Sequence, residues 1–169
     1  MARALAILVL AGLLGPIASA QARIVPSLGM KGIALGTTAA QVRDRLGTPD
    51  RKAFPVSEIM GRFRVYRYGL TRISMERGSP GRVFSIDTTS PRERTDSGVG
   101  VGSSEAQVLR GVKGTRCLVE FGYRHCYAGR WEPGRIVTDF AISKAGRVKR
   151  VTIGRVIDMF PAHRHAQIR

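Results

Sequence analysis

Apolar and polar positions along this chain change their period several times, and the changes mark out its elements. Ala39 to Leu46 has a helical pattern, with Val42 and Leu46 at i, i+4 spacing and Arg43 and Asp44 free to face water. Gly47 is placed to follow the end of that helix, and Pro49 prevents its continuation. Past Asp50 the period drops to two. Arg62 to Tyr68 alternates like a strand and ends at Gly69, Leu70 to Met75 follows with Ile73 and Met75 in phase, and Gly78-Ser79-Pro80-Gly81 turns into Arg82 to Thr88. Residues 90–97 are polar, charged and contain Pro91, a linker composition. A second helix is predicted over Glu105 to Val112 with Val108 and Val112 inward, weakened by up to about 1 kcal/mol at Gly111. The arms of a hairpin around Phe121-Gly122, a strand over Arg135 to Ile142 and another over Arg147 to Ile153 complete the pattern.

Each helix is preceded by the same phrase. Gly32-Ile33-Ala34-Leu35-Gly36-Thr37-Thr38-Ala39-Ala40-Gln41-Val42 returns as Gly98-Val99-Gly100-Val101-Gly102-Ser103-Ser104-Glu105-Ala106-Gln107-Val108, with five identities. Thr38 stands three residues before Gln41 and Ser104 three before Gln107, the spacing of a capping box. Gly81-Arg82-Val83 and Gly146-Arg147-Val148 also match, 65 residues apart against 66 for the phrase. The expected fold is therefore α+β, two tandem repeats of a helix plus an antiparallel meander, with the helices on one face of a curved sheet. The expected divisions are a signal peptide at 1–20, a mobile lead-in at 21–31, repeat 1 at 32–89, the linker at 90–97, repeat 2 at 98–154 and a basic tail at 155–169. Each repeat is too small to bury a good core by itself, so the pair is expected to pack as one body.

The first twenty residues carry Arg3, an apolar run from Ala4 to Leu14, a Gly15-Pro16 break and Ala18-Ser19-Ala20. That is the three-part pattern of a secretory leader cleaved near Ala20, and the run is short for a membrane span. Export changes how Cys117 and Cys126 are read: a disulfide closing a ten-residue loop, worth about 2–3 kcal/mol, rather than a metal site, for which the spacing is poor.

The net charge of +16, or +15 once Arg3 leaves with the leader, points to anionic partners such as lipid head groups, wall polymers or an acidic protein. Yet 23 of the 28 basic residues are arginines, an imbalance that GC-rich codon usage also produces, and they are scattered rather than clustered. Export disfavours nucleic acid as the partner.

The run apolar-x-apolar-Gly-Thr/Ser-Thr/Ser-x-x-Gln-Val, followed by a helix, a glycine and strands, resembles the Gly-Met-Thr-x-x-Gln-Val phrase of the β-lactamase inhibitory protein family. The same phrase occurs in outer-membrane assembly lipoproteins of the SmpA/OmlA (BamE-like) type. The resemblance spans roughly residues 32–154 and implies tandem repeats, with helices on one face of a curved antiparallel sheet, in a secreted protein that binds other proteins. Thr37 and Ser103 stand where that phrase has methionine, the lipidated cysteine of the lipoproteins is absent, and no inhibitory contact residue carries over.

Candidate chemistry is sparse. Gly98-x-Gly100-x-Gly102 lacks the third glycine of a nucleotide fingerprint and reads as close backbone packing. Ser103 and Ser104 would be nucleophiles only beside a histidine, and His125, His163 and His165 are distant in sequence, whereas helix capping accounts for both serines. No cofactor or metal is expected.

For binding, Phe63 and Val65 are expected inward, leaving Arg62, Arg64, Tyr66 and Tyr68 outward, while Tyr123, Tyr127 and Trp131 gather about the hairpin beside Arg124 and Arg130. Tyr, Trp and Arg dominate binding hot spots. The alternative, that aromatics fill the seam between repeats, suits Trp131 and Tyr123 best. The reading is a non-catalytic exported binding protein for an envelope or extracellular protein or an anionic surface, possible forms including an inhibitor. An exported serine hydrolase and a structural envelope component are the alternatives.

Overall fold

A computed structural model of the chain describes residues 23–57, 61–120 and 122–156. Three two-residue strands come first: β1 (Ile24–Val25), β2 (Gly29–Met30) and β3 (Ile33–Ala34), which form a small antiparallel sheet. Helix α1 (Ala39–Leu46) precedes β4 (Arg51–Ala53), a short ribbon of β5 (Val56–Ser57) and β6 (Gly61–Arg62), then β7 (Arg64–Tyr68), β8 (Thr71–Met75) and β9 (Val83–Thr88). Helix α2 (Glu105–Gly111) precedes β10 (Thr115–Glu120), β11 (Tyr123–Ala128), β12 (Ile136–Ile142) and β13 (Val148–Arg155). Eight of these strands make one antiparallel sheet in the order β10-β11-β12-β13-β9-β8-β7-β4.

This corrects the expected α+β class of two helix-plus-meander repeats. The protein is mostly β, and the two helices among the described residues have only eight and seven residues, too short to make a layer of their own. The strands do not divide into two sheets either. Val151 pairs with Thr88 and Ile153 with Ile86, so β13 and β9 join everything into one hydrogen-bonded surface.

The two copies of the phrase do occupy matching local surroundings. Thr38 and Ser104 each accept from the amide of the glutamine three residues on, and that glutamine's side chain returns to the cap amide, closing a capping box at both helices. Just upstream, the Gly36 amide donates to the Val83 carbonyl at 2.7 Å and the Gly102 amide to the Val148 carbonyl at 2.8 Å. Val83 and Val148 donate back to Thr37 and Ser103, and the guanidiniums of Arg82 and Arg147 each reach the phrase glycine's carbonyl at 3.0 Å. Each helix is thus tied to the strand that closes its half of the chain.

Residues 23–31 are not a loose lead-in. Ile24 and Met30 are almost wholly buried, the Ile24 amide donates to the Arg94 carbonyl, and the Ser27 amide donates to the Thr138 hydroxyl at 2.7 Å. Residues 90–97 are likewise packed. Ser90, Glu93 and Thr95 are buried, with Glu93 ion-paired to Lys31 at 3.1 Å. Gly100 lets this stretch approach: a Cβ there would lie 2.4 Å from the Glu93 carbonyl oxygen. Gly111, a weak point in the helix pattern, has a matching reason, since its Cβ would stand 2.6 Å from the buried Val99 side chain.

The core lies on one face of the large sheet, where Ile73, Ile86, Phe140, Val151 and Ile153 meet Val42, Val108, Ile24 and Met30. Cys117 and Cys126 stand directly opposite on β10 and β11 and are disulfide-bonded.

Replacing both cysteines by serine should lower the unfolding free energy by about 2–3 kcal/mol, the value for so short a loop, measured by urea titration of the oxidised wild type against the variant. Ser104→Ala, which removes one half of a capping box, should cost about 1 kcal/mol in the same titration.

Candidate functional site on the uncovered sheet face

Successive side chains of a strand point to opposite faces, and residues directly opposite on paired strands share a face. Both helices lie on the side of Cys126, Phe140 and Ile86, as the contact of Arg124 with Glu105 at the start of α2 illustrates: its Nε donates to the carboxylate at 2.7 Å. That hydrogen bond and charge hold the Glu105 carboxyl below its ordinary value. The other face carries no helix among the described residues. One row of it crosses all eight strands in register: Arg116, Tyr127, Asp139, Thr152, Asp87, Arg72, Arg67 and Arg51.

The register corrects part of the expected binding set. Tyr66 stands opposite Ile73, which is fully buried, so it faces the core and is 3% exposed, with the Lys52 ammonium over its ring. Tyr68 and Arg64 share that side. The Tyr68 hydroxyl donates to the Gly47 carbonyl at 3.1 Å, burial raises its phenol above the ordinary value, and the Arg64 guanidinium donates to the Arg77 carbonyl. Arg62 belongs to the β5–β6 ribbon, away from the large sheet. The predicted continuous strand breaks at Phe63, which packs edge-on against Phe84 at 5.6 Å. Val65 and Arg67, not Tyr66 and Tyr68, take the uncovered side.

The hairpin aromatics behave the other way. Tyr123 is 70% and Trp131 41% exposed, so neither fills a seam. Trp131 lies 5.2 Å from the Tyr127 ring and meets the His125 ring edge-on at 5.4 Å. His125 is buried beneath them, its Nδ1 2.6 Å from an Asp139 carboxylate oxygen and its Nε2 3.6 Å from Glu120. Burial raises the Asp139 carboxyl above its ordinary 3.8; His125 and Arg150 oppose the shift and Glu120 adds to it. The His125 Nε2 is buried and makes no hydrogen bond to a described residue. Chemically this is a brace: Asp139 fixes the imidazole, and the imidazole backs Trp131 and Tyr127.

Neither serine considered as a nucleophile meets this histidine. Ser103 is buried, its hydroxyl accepting from the Gly100 amide at 3.1 Å and from Arg94, while Ser104 caps α2 on the helix side of the sheet. His163 and His165 lie outside the described residues. Glu105, Cys117 and Cys126 approach one another closely enough to suggest a metal site, but the two sulfurs are bonded to each other and offer no thiolate.

Sequence reasoning gave no site role to Asp139, Arg67, Arg72, Asp87 and Arg150. Their signal was present as charged positions inside otherwise apolar strands, on the parity opposite to the core residues.

Beside the polar row is a depression of about 230 Å³ lined by Arg67, Gly69, Leu70, Arg72, Asp87, Thr89 and Arg150. Within it Arg72 Nε lies 3.1 and 3.0 Å from the two oxygens of the Asp87 carboxylate.

No family model matches the chain, and no curated protein does. Among solved structures it is similar to the uncharacterized protein yfeY of Escherichia coli, at 16% identity and a TM-score of 0.49, over 80% of this chain and 99% of that one. It is also similar to the DUF4309 family protein YjgB of Bacillus subtilis, at 16% identity and 0.46, over 75% and 84%. A third similarity is to an extracellular protein of Bacillus anthracis containing an SCP domain, at 10% identity and 0.46; it covers 72% of this chain but only 44% of that one.

Because burial favours the protonated Asp139, its ionisation costs the folded state more than the unfolded one, and stability should fall as pH rises through the raised folded value. Urea titrations between about pH 4 and 7 should therefore show wild type losing ground to Asp139→Asn as pH increases. His125→Gln, which removes the neighbour opposing the shift, should steepen that decline. A difference between wild type and Asp139→Asn that stayed flat or ran the other way would discard the assignment.

Proposed function

We propose that this is an exported, non-catalytic binding protein whose uncovered sheet face docks on an acidic protein surface of the cell envelope or its exterior. The observation carrying the reading is the hairpin group: Trp131 and Tyr123 are exposed aromatics, and Trp131 is held in place by the buried His125 and Asp139. A rigid aromatic loses little conformational freedom on docking, which is why such residues concentrate binding energy. Arg116, at the near end of the polar row, and Arg130, near Trp131 in sequence, put positive charge beside them. That arrangement suits acidic surfaces and would speed association. Export rests on the leader pattern of residues 1–20, which lie outside the described residues, and on the Cys117–Cys126 disulfide, which belongs to an oxidising compartment.

The hydrolase alternative is disfavoured by the roles of the serines, which cap and clamp on the face opposite His125. An inhibitor acting on a partner enzyme is one form of the binding reading, supported by the likeness of the repeated phrase to that of the β-lactamase inhibitory protein family.

Immobilised mature protein, crosslinked in an envelope and culture-medium extract, should retain a defined acidic partner. Trp131→Ala should weaken that partner's affinity about tenfold or more, as should Tyr123→Ala, while Arg62→Ala on the distant ribbon should not. Retention unchanged by Trp131→Ala and Tyr123→Ala would remove the hairpin face from the function. Ester or amide hydrolysis abolished by Ser104→Ala would replace the binding reading with the enzymatic one.

A further inference from the structure

Three arginines on neighbouring strands stand directly across from one another: Arg51 on β4 opposite Arg67 on β7, and Arg67 opposite Arg72 on β8. Like charges directly opposite in a sheet repel. Asp87, next in the row, is buried and among the described residues takes up only the Arg72 side chain, and only through Nε. That leaves both terminal nitrogens of Arg72 as donors in a guanidinium of fixed orientation. The side chains of Arg67 and Arg150 line the same depression and hydrogen-bond to no described residue, Arg150 acting on Asp139 only through its charge. The Gly69 amide is already committed to Asp50 at 2.6 Å, and Thr89 adds an exposed hydroxyl.

From this we propose an oxyanion site where the uncovered face meets the β7–β8 turn, formed by Arg67, Arg72 and Arg150 with Asp87 as the residue that positions Arg72. Its ligand class is a phosphate monoester. Three guanidiniums line the depression with one carboxylate, Asp87, while Asp50 is taken up by the Gly69 amide and Asp139 lies within electrostatic reach of Arg150, so the lining keeps an excess of positive charge suited to a group carrying about −1.5 to −2 near neutrality. Guanidiniums also suit phosphate oxygens geometrically, since each presents paired donors in a plane. Leu70, 58% exposed on the rim, offers an apolar contact to whatever the phosphate is attached to. The site rests on the same reading of the uncovered face as the binding surface, but on different residues and a different ligand.

The test measures glycerol 3-phosphate and inorganic phosphate binding to the mature chain by calorimetry and by the arginine Nε–H signals in NMR, at about 0.15 M ionic strength. Sedimentation with vesicles of phosphatidic acid in phosphatidylcholine, against phosphatidylcholine alone, tells a lipid head group from a soluble ester. Saturable binding is expected, with one ligand per chain. Arg150→Gln and Arg67→Gln should each weaken it about tenfold or more, and Arg51→Gln, in the same charged row but outside the depression, less than about twofold. Both arginines are exposed, and unchanged unfolding curves would confirm that the variants fold. Trp131→Ala should leave phosphate binding intact, so a loss of partner retention with phosphate binding preserved separates the two proposals. Absence of saturable binding to every phosphate probe, or equal losses from Arg51→Gln and Arg150→Gln, would overturn the site in favour of diffuse charge.

Discussion

Burial on one side of a single eight-stranded sheet is the constraint on which the rest of this protein depends. Alternation with a period of two, kept in register from β10 to β4, sends Cys126, Phe140, Val151, Ile86, Ile73 and Tyr66 to one face. Once that face is apolar, something must cover it, and two helices of two turns cannot do so alone. The ribbon of residues 24–34 and the packed stretch at 90–100 supply the remainder. A slip of one residue at the β13–β9 seam would reverse the two faces for half of the sheet, so the seam pairing holds both the core and the outer face in place.

The outer face follows from the same alternation. Residues excluded from the core by parity are free to be charged, and the chain places there a polar row with four arginines and two carboxylates. Asp87 and Asp139 have comparable duties within it. One orients a guanidinium, the other an imidazole, and each lies low between longer neighbours so that the group it holds is presented at a set angle. Fixed polar and aromatic groups on rigid strands bind with less loss of freedom than the same groups on loops.

The duplicated phrase works at a smaller scale. Its two copies make the same backbone exchange with Val83 and Val148, receive the same arginine on a glycine carbonyl and close the same capping box. Those contacts are short in range and need only a few residue types, so they survive differences elsewhere: a disulfide occurs in the second half, and a separate ribbon in the first.

The chain by itself determined what depends on neighbours in sequence. Thr38 with Gln41 and Ser104 with Gln107 specify helix starts through bonds that span three residues, and most of the strands show in their alternation. The cysteine pair could join only with itself. Tertiary structure decided which parity of each strand became the inside, because Phe63 and Val65 are as fit for a core as Tyr66 and Tyr68, and only pairing with Ile73 chose between them. It also decided that the halves share one sheet rather than stand as helix-plus-meander units, since a hydrogen bond between β13 and β9 leaves no local trace. For the same reason His125, Asp139 and Trp131, or Arg67, Arg72 and Arg150, meet only after the strands are laid side by side: each group is assembled across strands, and a period of two tells which face a residue shares but not which partner.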